Sequence, residues 1–416
     1  MEKYTLSNGI RVVIESMPNV RSVSFGIWIK AGSRTEHRMN NGISHFIEHM
    51  LFKGSDRYSA KDIAELFDGI GGNVNAFTSK EYTCYYFKVL DIHLPLAVDV
   101  LSEMLLHARL GEDDMEKEKK VIFEEIAMYE DTPDDLVHDL IARAAFDGHP
   151  LSFPILGTEE LLAPLTPQDL RSYMERHYHV DDIVISAAGH VDRSIYDLLE
   201  KHFGGLKRRG SKVELEKPQF TGQALFHYKQ TEQHHICLAF PGCSIHDPRQ
   251  TAMLVLNNVI GGSMSSRLFQ EIRENRGLAY SVYSYHTAYE DSGLFTIYTG
   301  TAPEQTSEVL ELMIGVLEDI KKNGITDNEL RKSKEQMKGN LILSLESPSG
   351  RSNRHGKNEL MGIRHETLEE MIRKIDDVSH ETIRETIGMM FSQPFALAMV
   401  GESDQAIANF RRDQLV

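Results

Sequence analysis

Apolar and polar positions alternate at Ile10 to Glu15 and at Ser22 to Lys30, the period of two that marks half-buried strands. The period then lengthens. In Ile43-Ser44-His45-Phe46-Ile47-Glu48-His49-Met50-Leu51 the residues Ile43, Phe46, Ile47, Met50 and Leu51 share one side of a helix, an apolar stripe that can seat it on a core. A second helix is predicted at Ala60 to Asp68, closed by Gly69, Gly71 and Gly72, followed by strand-like runs at Asn73 to Ser79 and Tyr82 to Leu90. Helical patterns occupy Leu94 to His107, Asp113 to Tyr129, Asp134 to Phe146 and Pro167 to Tyr178, before a short strand at Ile183 to Ala188.

The pattern breaks after residue 204, with Gly204-Gly205, Lys207-Arg208-Arg209-Gly210 and Pro218, so residues 210–223 read as a linker. Beyond it the order recurs. Strands are predicted at Ala224 to Tyr228, His235 to Phe240, Leu278 to Tyr285, Gly293 to Thr299 and Phe395 to Val400. Helices are predicted at Thr251 to Val259, Ser266 to Glu274, Glu304 to Lys322 and Asp327 to Leu345. At 416 residues the chain is too long for one simple core. The recurrence divides it into two homologous halves, 1–209 and 224–416. Strands and helices mix without strict alternation, which favours an α+β fold over a doubly wound parallel sheet: two α/β sandwich domains, each a mainly antiparallel sheet packed with helices.

Chemistry concentrates on the first helix. His45 and His49 stand four apart, one above the other, with Glu48 roughly 60° to one side. Zinc takes neutral imidazole nitrogens, and a catalytic site keeps a position for water whose proton a carboxylate outside the coordination sphere can remove. His-x-x-Glu-His is the inverted zincin signature. A polar helix face carrying two histidines and a glutamate by coincidence fits the same five residues, and a third ligand separates the two readings. Between Asp113 and Tyr129, Glu118 and Glu125 lie on the edge of the buried stripe while Glu124 points to solvent. Inward carboxylates must be satisfied, by a metal or by a salt bridge to Lys or Arg.

The motif has flanks. They are Gly32-Ser33-Arg34-Thr35-Glu36, Phe52-Lys53-Gly54, Asn75-Ala76-Phe77-Thr78, Val121-Ile122-Phe123-Glu124-Glu125-Ile126 and His149-Pro150-Leu151 with Ile155-Leu156-Gly157. With them, the N-terminal half resembles the pitrilysin and mitochondrial-processing-peptidase family. The resemblance implies a processing-peptidase-like metallohydrolase fold, one Zn2+ per chain held by His45, His49 and Glu125, Glu48 as general base, and Glu118 as the acid that supports a ligand. It implies a zinc metalloendopeptidase. Some relatives are instead non-catalytic substrate-binding or scaffold subunits, which typically lose motif residues that are all present here.

The second half has no His-x-x-Glu-His. Its stretch Ser265 to Tyr280 is similar to the family segment whose Arg and Tyr, seven apart, approach the substrate; Arg273 and Tyr280 keep that spacing and can donate to a developing oxyanion. Without the family they read as structural. Asn73 to Ser79 is similar to the family's substrate-binding edge strand, with Asn75 and Ala76 as the contacts carried over; the pattern alone fits an interior strand equally well. The family closes a chamber from four domains and this chain supplies two, so the resemblance implies a homodimer or a heterodimer acting on small or unfolded peptides.

Net charge −17 with no basic run argues against nucleic acid and anionic membrane surfaces. No apolar run reaches the length of a membrane span, and the N-terminus resembles neither a secretory signal nor a transit peptide, so a cytoplasmic location is expected. Cys84, Cys237 and Cys243 are too scattered for a disulfide framework or a zinc knuckle and read as reduced structural thiols. His177 with His179, and His234 with His235, lack a third partner at useful spacing and read as core or surface histidines.

Overall fold

The computed structural model describes residues 1–207, 215–408, 410 and 415. The expected linker 210–223 therefore lies partly outside the described residues. Among the described residues there are eleven strands: β1 (Glu2–Thr5), β2 (Arg11–Ser16), β3 (Ser22–Ile29), β4 (Asn73–Thr78), β5 (Thr83–Leu90), β6 (Ile183–Gly189), β7 (Ala224–Tyr228), β8 (His234–Pro241), β9 (Ala279–Ala288), β10 (Gly293–Thr301) and β11 (Ala396–Gly401). They form a six-stranded sheet, β1-β2-β6-β3-β5-β4, and a five-stranded sheet, β7-β11-β8-β10-β9. Apart from the added β1, the two sheets share one topology. In each, the first and last strands in chain order pair parallel and every other neighbour is antiparallel. The fold is mixed α/β, mainly antiparallel, with the duplication visible in strand order.

The helices of the first half include α1 (Ile43–Leu51), α2 (Ala60–Gly69), α3 (Leu94–Leu106), α4 (Glu112–Glu130) and α5 (Pro133–Phe146). Their apolar faces, with β2, β3, β5 and β6, bury one core built from residues such as Phe25, Phe46, Phe87, Leu101, Ile122 and Phe203. α5 is the exception. The compact units are not simple halves of the chain: one comprises residues 1–126, 153–215 and 342–365, the other 127–152, 216–341 and 366–416. α5 thus belongs to the second unit, where Val137, Ile141, Ala144, Ala145 and Phe146 cover Cys237, Ala239, Ala398 and Val400 on one face of the sheet. Reciprocally, the helix Pro348–Leu360 packs on β2, β3 and β6 of the first unit.

That second helix approaches unusually closely. A Cβ on Gly356 would stand 2.0 Å from Nε1 of Trp28 on β3, so only glycine fits. Ser352 reaches Ser186 Oγ at 3.1 Å, and Ser186 also accepts the Trp28 Nε1–H at 2.9 Å. Two departures from the periodic reading stand out. The expected helix at Ser266 to Glu274 is π-helical over Phe269–Asn275, and the sequence reading passes over elements that include β1, Ser194–Phe203, Pro348–Leu360, Leu368–Asp376 and His380–Met390. Among the described residues no helix is long and apolar enough to cross a membrane.

Candidate metal centre

α1 begins at Gly42, whose φ of +94° is open to glycine at little cost. Just ahead of it sits Glu36, fully buried. Its carboxylate accepts the backbone N–H of Gly42 at 2.8 Å and of Ser44 at 2.9 Å, and the Asn41 amide at 2.8 Å. The two backbone groups are orphan donors of the helix N-terminus, and an anion there also meets the positive end of the helix dipole. Burial pushes the Glu36 carboxyl up, against the pull of those hydrogen bonds. The Tyr173 hydroxyl braces the same turn, 2.9 Å from Ser44 Oγ.

With Ile43, Phe46, Ile47, Met50 and Leu51 committed to the core, the opposite face presents His45, Glu48 and His49. The His45 and His49 Nε2 atoms are 3.2 Å apart, and Glu125 of α4 sets its two carboxylate oxygens 3.9 Å from His45 Nε2 and 3.4 Å from His49 Nε2. One donor atom from each of the three lies within 4.8 Å of the others. Glu118, one α4 heptad earlier, takes the far side of His49, its Oε1 2.9 Å from Nδ1, while its Oε2 meets Lys53 Nζ at 2.5 Å. Periodicity left metal and salt bridge open for the two inward acids. The structure divides them: Glu118 meets a lysine and a histidine, and Glu125 faces the histidine pair.

These residues fit a zinc ion. Glu118 can only accept, so His49 carries its proton on Nδ1 and turns the Nε2 lone pair toward His45. Two imidazole lone pairs and a carboxylate pointing at one another repel unless a cation lies between them. Bonds of 2.0–2.1 Å to a tetrahedral zinc would separate two nitrogens by about 3.3 Å, near the distance seen. Burial and the neighbouring His49 push His45 down to about 4. His49 goes up to about 9, because its bonds to Glu118 and Glu125 outweigh its burial.

Glu48 is not part of that cluster. Its Oε2 accepts a hydrogen bond from Thr78 Oγ1 at 2.5 Å, and burial raises its carboxyl despite that bond. Thr78 ends β4, which is the outermost strand of its sheet, so the strand expected to receive an extended peptide is an edge. Asn75 is exposed on it, its Oδ1 accepting the Ala76 N–H at 2.8 Å. In the second unit, Arg273 and Tyr280 are together: the Arg273 guanidinium carbon lies 4.7 Å from the Phe269 ring centre and 4.6 Å from that of Tyr280, whose side chain is otherwise exposed. The histidines at 177, 179, 234 and 235 are all buried and join no metal-ligating group among the described residues. Glu36, Lys53 and Thr78 carry no role in the sequence reading although all three sit inside its motifs. Only tertiary contact reveals what each holds.

Fold and site together have the form of an inverted zincin. Residues 11–159 match the family described as Insulinase (Peptidase family M16), and residues 164–337 match the Peptidase M16 inactive domain. The uncharacterized zinc protease YmxG of Bacillus subtilis is 51% identical over 403 residues, covering 97% of this chain and 98% of its own. An uncharacterized zinc protease of Streptomyces coelicolor is 40% identical over 411 residues, covering 96% and 89%. Among solved structures, a protease from Helicobacter pylori superposes with a TM-score of 0.90 at 23% identity, covering 96% of this chain and 99% of its own. A Pseudomonas fluorescens M16 inactive-domain structure gives 0.89 at 20%, covering 97% and 98%. The chain belongs to peptidase family M16, and its relatives here are named zinc proteases.

Proposed function

We propose that the chain is a zinc-dependent metalloendopeptidase. The observation that carries this reading is the convergence of two imidazole Nε2 atoms and the Glu125 carboxylate on one point, beside a Glu48 that is tied to β4 rather than to the cluster. A zinc ion held by His45, His49 and Glu125, one per chain, would polarise a peptide carbonyl and acidify water. Glu48 takes the proton of the attacking water and delivers it to the leaving amine. Asn75 and Ala76 hold the substrate as an added strand on the β4 edge. Such a strand must be extended, which favours small or unfolded peptides.

The same reading includes a dimer, either a homodimer or a heterodimer, in which Arg273 and Tyr280 serve the metal centre of a second chain by donating to the oxyanion. A cytoplasmic location belongs to it as well; the three cysteines are buried and unpaired, in keeping with a reducing compartment. The test is zinc per chain together with cleavage of a pool of unstructured peptides, for the native protein and for Glu48→Gln. One zinc in both, with cutting only in the native protein, supports the mechanism. A native protein without metal, or with metal and no cutting, points instead to a non-catalytic subunit of a processing-peptidase-like complex.

A further inference from the structure

Glu48 needs one oxygen free to carry a proton and the other held still. The hydroxyl that holds it has a fixed direction. Thr83 on β5 stands opposite Thr78 in the β4–β5 register and donates its own hydroxyl proton to the Ala31 carbonyl at 2.8 Å. A threonine hydroxyl has a single proton, so Thr83 offers Thr78 only a lone pair, across 3.4 Å. Thr78 thus has two candidate acceptors, that lone pair and the Glu48 carboxylate at 2.5 Å. The shorter, charge-assisted bond wins.

We propose that Thr78 is the positioning residue of the general base: its hydroxyl, whose proton goes to Glu48 while Thr83 donates to Ala31, keeps Glu48 Oε2 an acceptor, so that the proton taken from water resides on Oε1. This rests on the peptidase reading and adds to it. The proton moves from water to Oε1 and from Oε1 to the leaving amine, while Thr78 keeps its own throughout. Because Thr78 ends β4, the base is also fixed to the strand that receives the substrate. A peptide bound in register on that edge then meets a carboxylate whose rotamer is already set, which matters because small misplacements of a catalytic group cost rate rather than binding.

The experiment compares the zinc-loaded native protein with Thr78→Val, which keeps shape and removes the donor, and with Thr78→Ser, which keeps the donor. The expected result is a fall in kcat of about 10- to 100-fold for the valine variant with KM and zinc content unchanged, and recovery of most of it by serine. Crystal structures of the zinc-loaded proteins supply a readout independent of turnover: one Glu48 rotamer in the native and serine proteins, more than one in the valine variant. An unchanged kcat, a loss confined to KM, or a single unchanged Glu48 rotamer in the valine variant overturns the proposal. If the native protein cuts no peptide, the peptidase reading fails by itself, and the rotamer comparison still decides what Thr78 does.

Discussion

Gly42 and Gly157 cross backbone to backbone: a Cβ on Gly157 would stand 2.5 Å from the Asn41 carbonyl oxygen, and one on Gly42 would stand 2.7 Å from that of Leu156. Both have positive φ, +94° and +74°. The crossing pins the N-terminus of α1 three residues before His45. Gly157→Ala should therefore cost about 3 kcal/mol, combining left-handed strain with the clash, and should weaken zinc retention because α1 shifts as a body. Thermal melting and chelator competition check it. A variant as stable as the parent would mean that the backbone gives way there without cost.

Glu118 orients His49 without facing the cluster itself. Glu118→Gln keeps the size of the side chain but loses the charge that holds Nδ1–H of His49 and Lys53 Nζ. Removing such an outer partner should lower zinc affinity by roughly 10- to 100-fold. Competition with a chromogenic chelator measures this. Unchanged affinity would make the contact a fold-stabilising one only.

How far the sequence prefigures this molecule depends on the kind of signal. Strand and helix periods are local, and β3, β5, α1, α3 and α4 begin and end within a residue or two of where alternation and stripes place them. The helix Pro348–Leu360 has no apolar stripe to read. It is polar along most of its length and binds its sheet through Ser352 and Gly356 against Trp28, a fit that exists only once β3 is in place. β1 is exposed at all four residues and shows no alternation. Ser194–Phe203, by contrast, carries a stripe at Ile195, Leu199 and Phe203 that the general pattern could have revealed. At the site, spacing alone brings out His45, Glu48 and His49. Inward facing selects Glu118 and Glu125 but not their partners, because a partner seventy residues away has no local signature.

A second carboxylate is held far from its ordinary range. Glu15 on β2 accepts from His355 Nε2 at 2.5 Å and pairs with Arg351, and these contacts bring it down to about 2 against the opposing effect of burial. A depressed carboxylate stabilises the fold above its unfolded value, near 4.5, and that contribution fades as pH falls toward 2. After discounting for solvent screening it amounts to about 2 kcal/mol. Glu15→Gln should melt well below the parent at pH 7, with the gap closing between pH 4.5 and 2. A constant gap across that window would mean that shape, not charge, is what the position requires.

The exchange of α5 and Pro348–Leu360 between units makes a prediction about fragments. Residues 1–207 contain the whole candidate metal centre and six strands, yet lack the helix whose Gly356 closes over Trp28 and whose Ser352 bonds Ser186. They also carry α5, whose Val137, Ile141 and Phe146 cover a sheet the fragment does not possess. Two apolar surfaces are then left open, each a driver of self-association. The isolated fragment should show helix and strand by far-ultraviolet circular dichroism but bind a hydrophobic dye, lack dispersed amide resonances and aggregate. Adding residues 342–365 through a flexible linker, together with Leu and Phe to polar changes on α5, should restore a dispersed spectrum. A monomeric, well-dispersed 1–207 fragment would show that the first half is self-sufficient and that the exchanged helix adds stability without defining the fold.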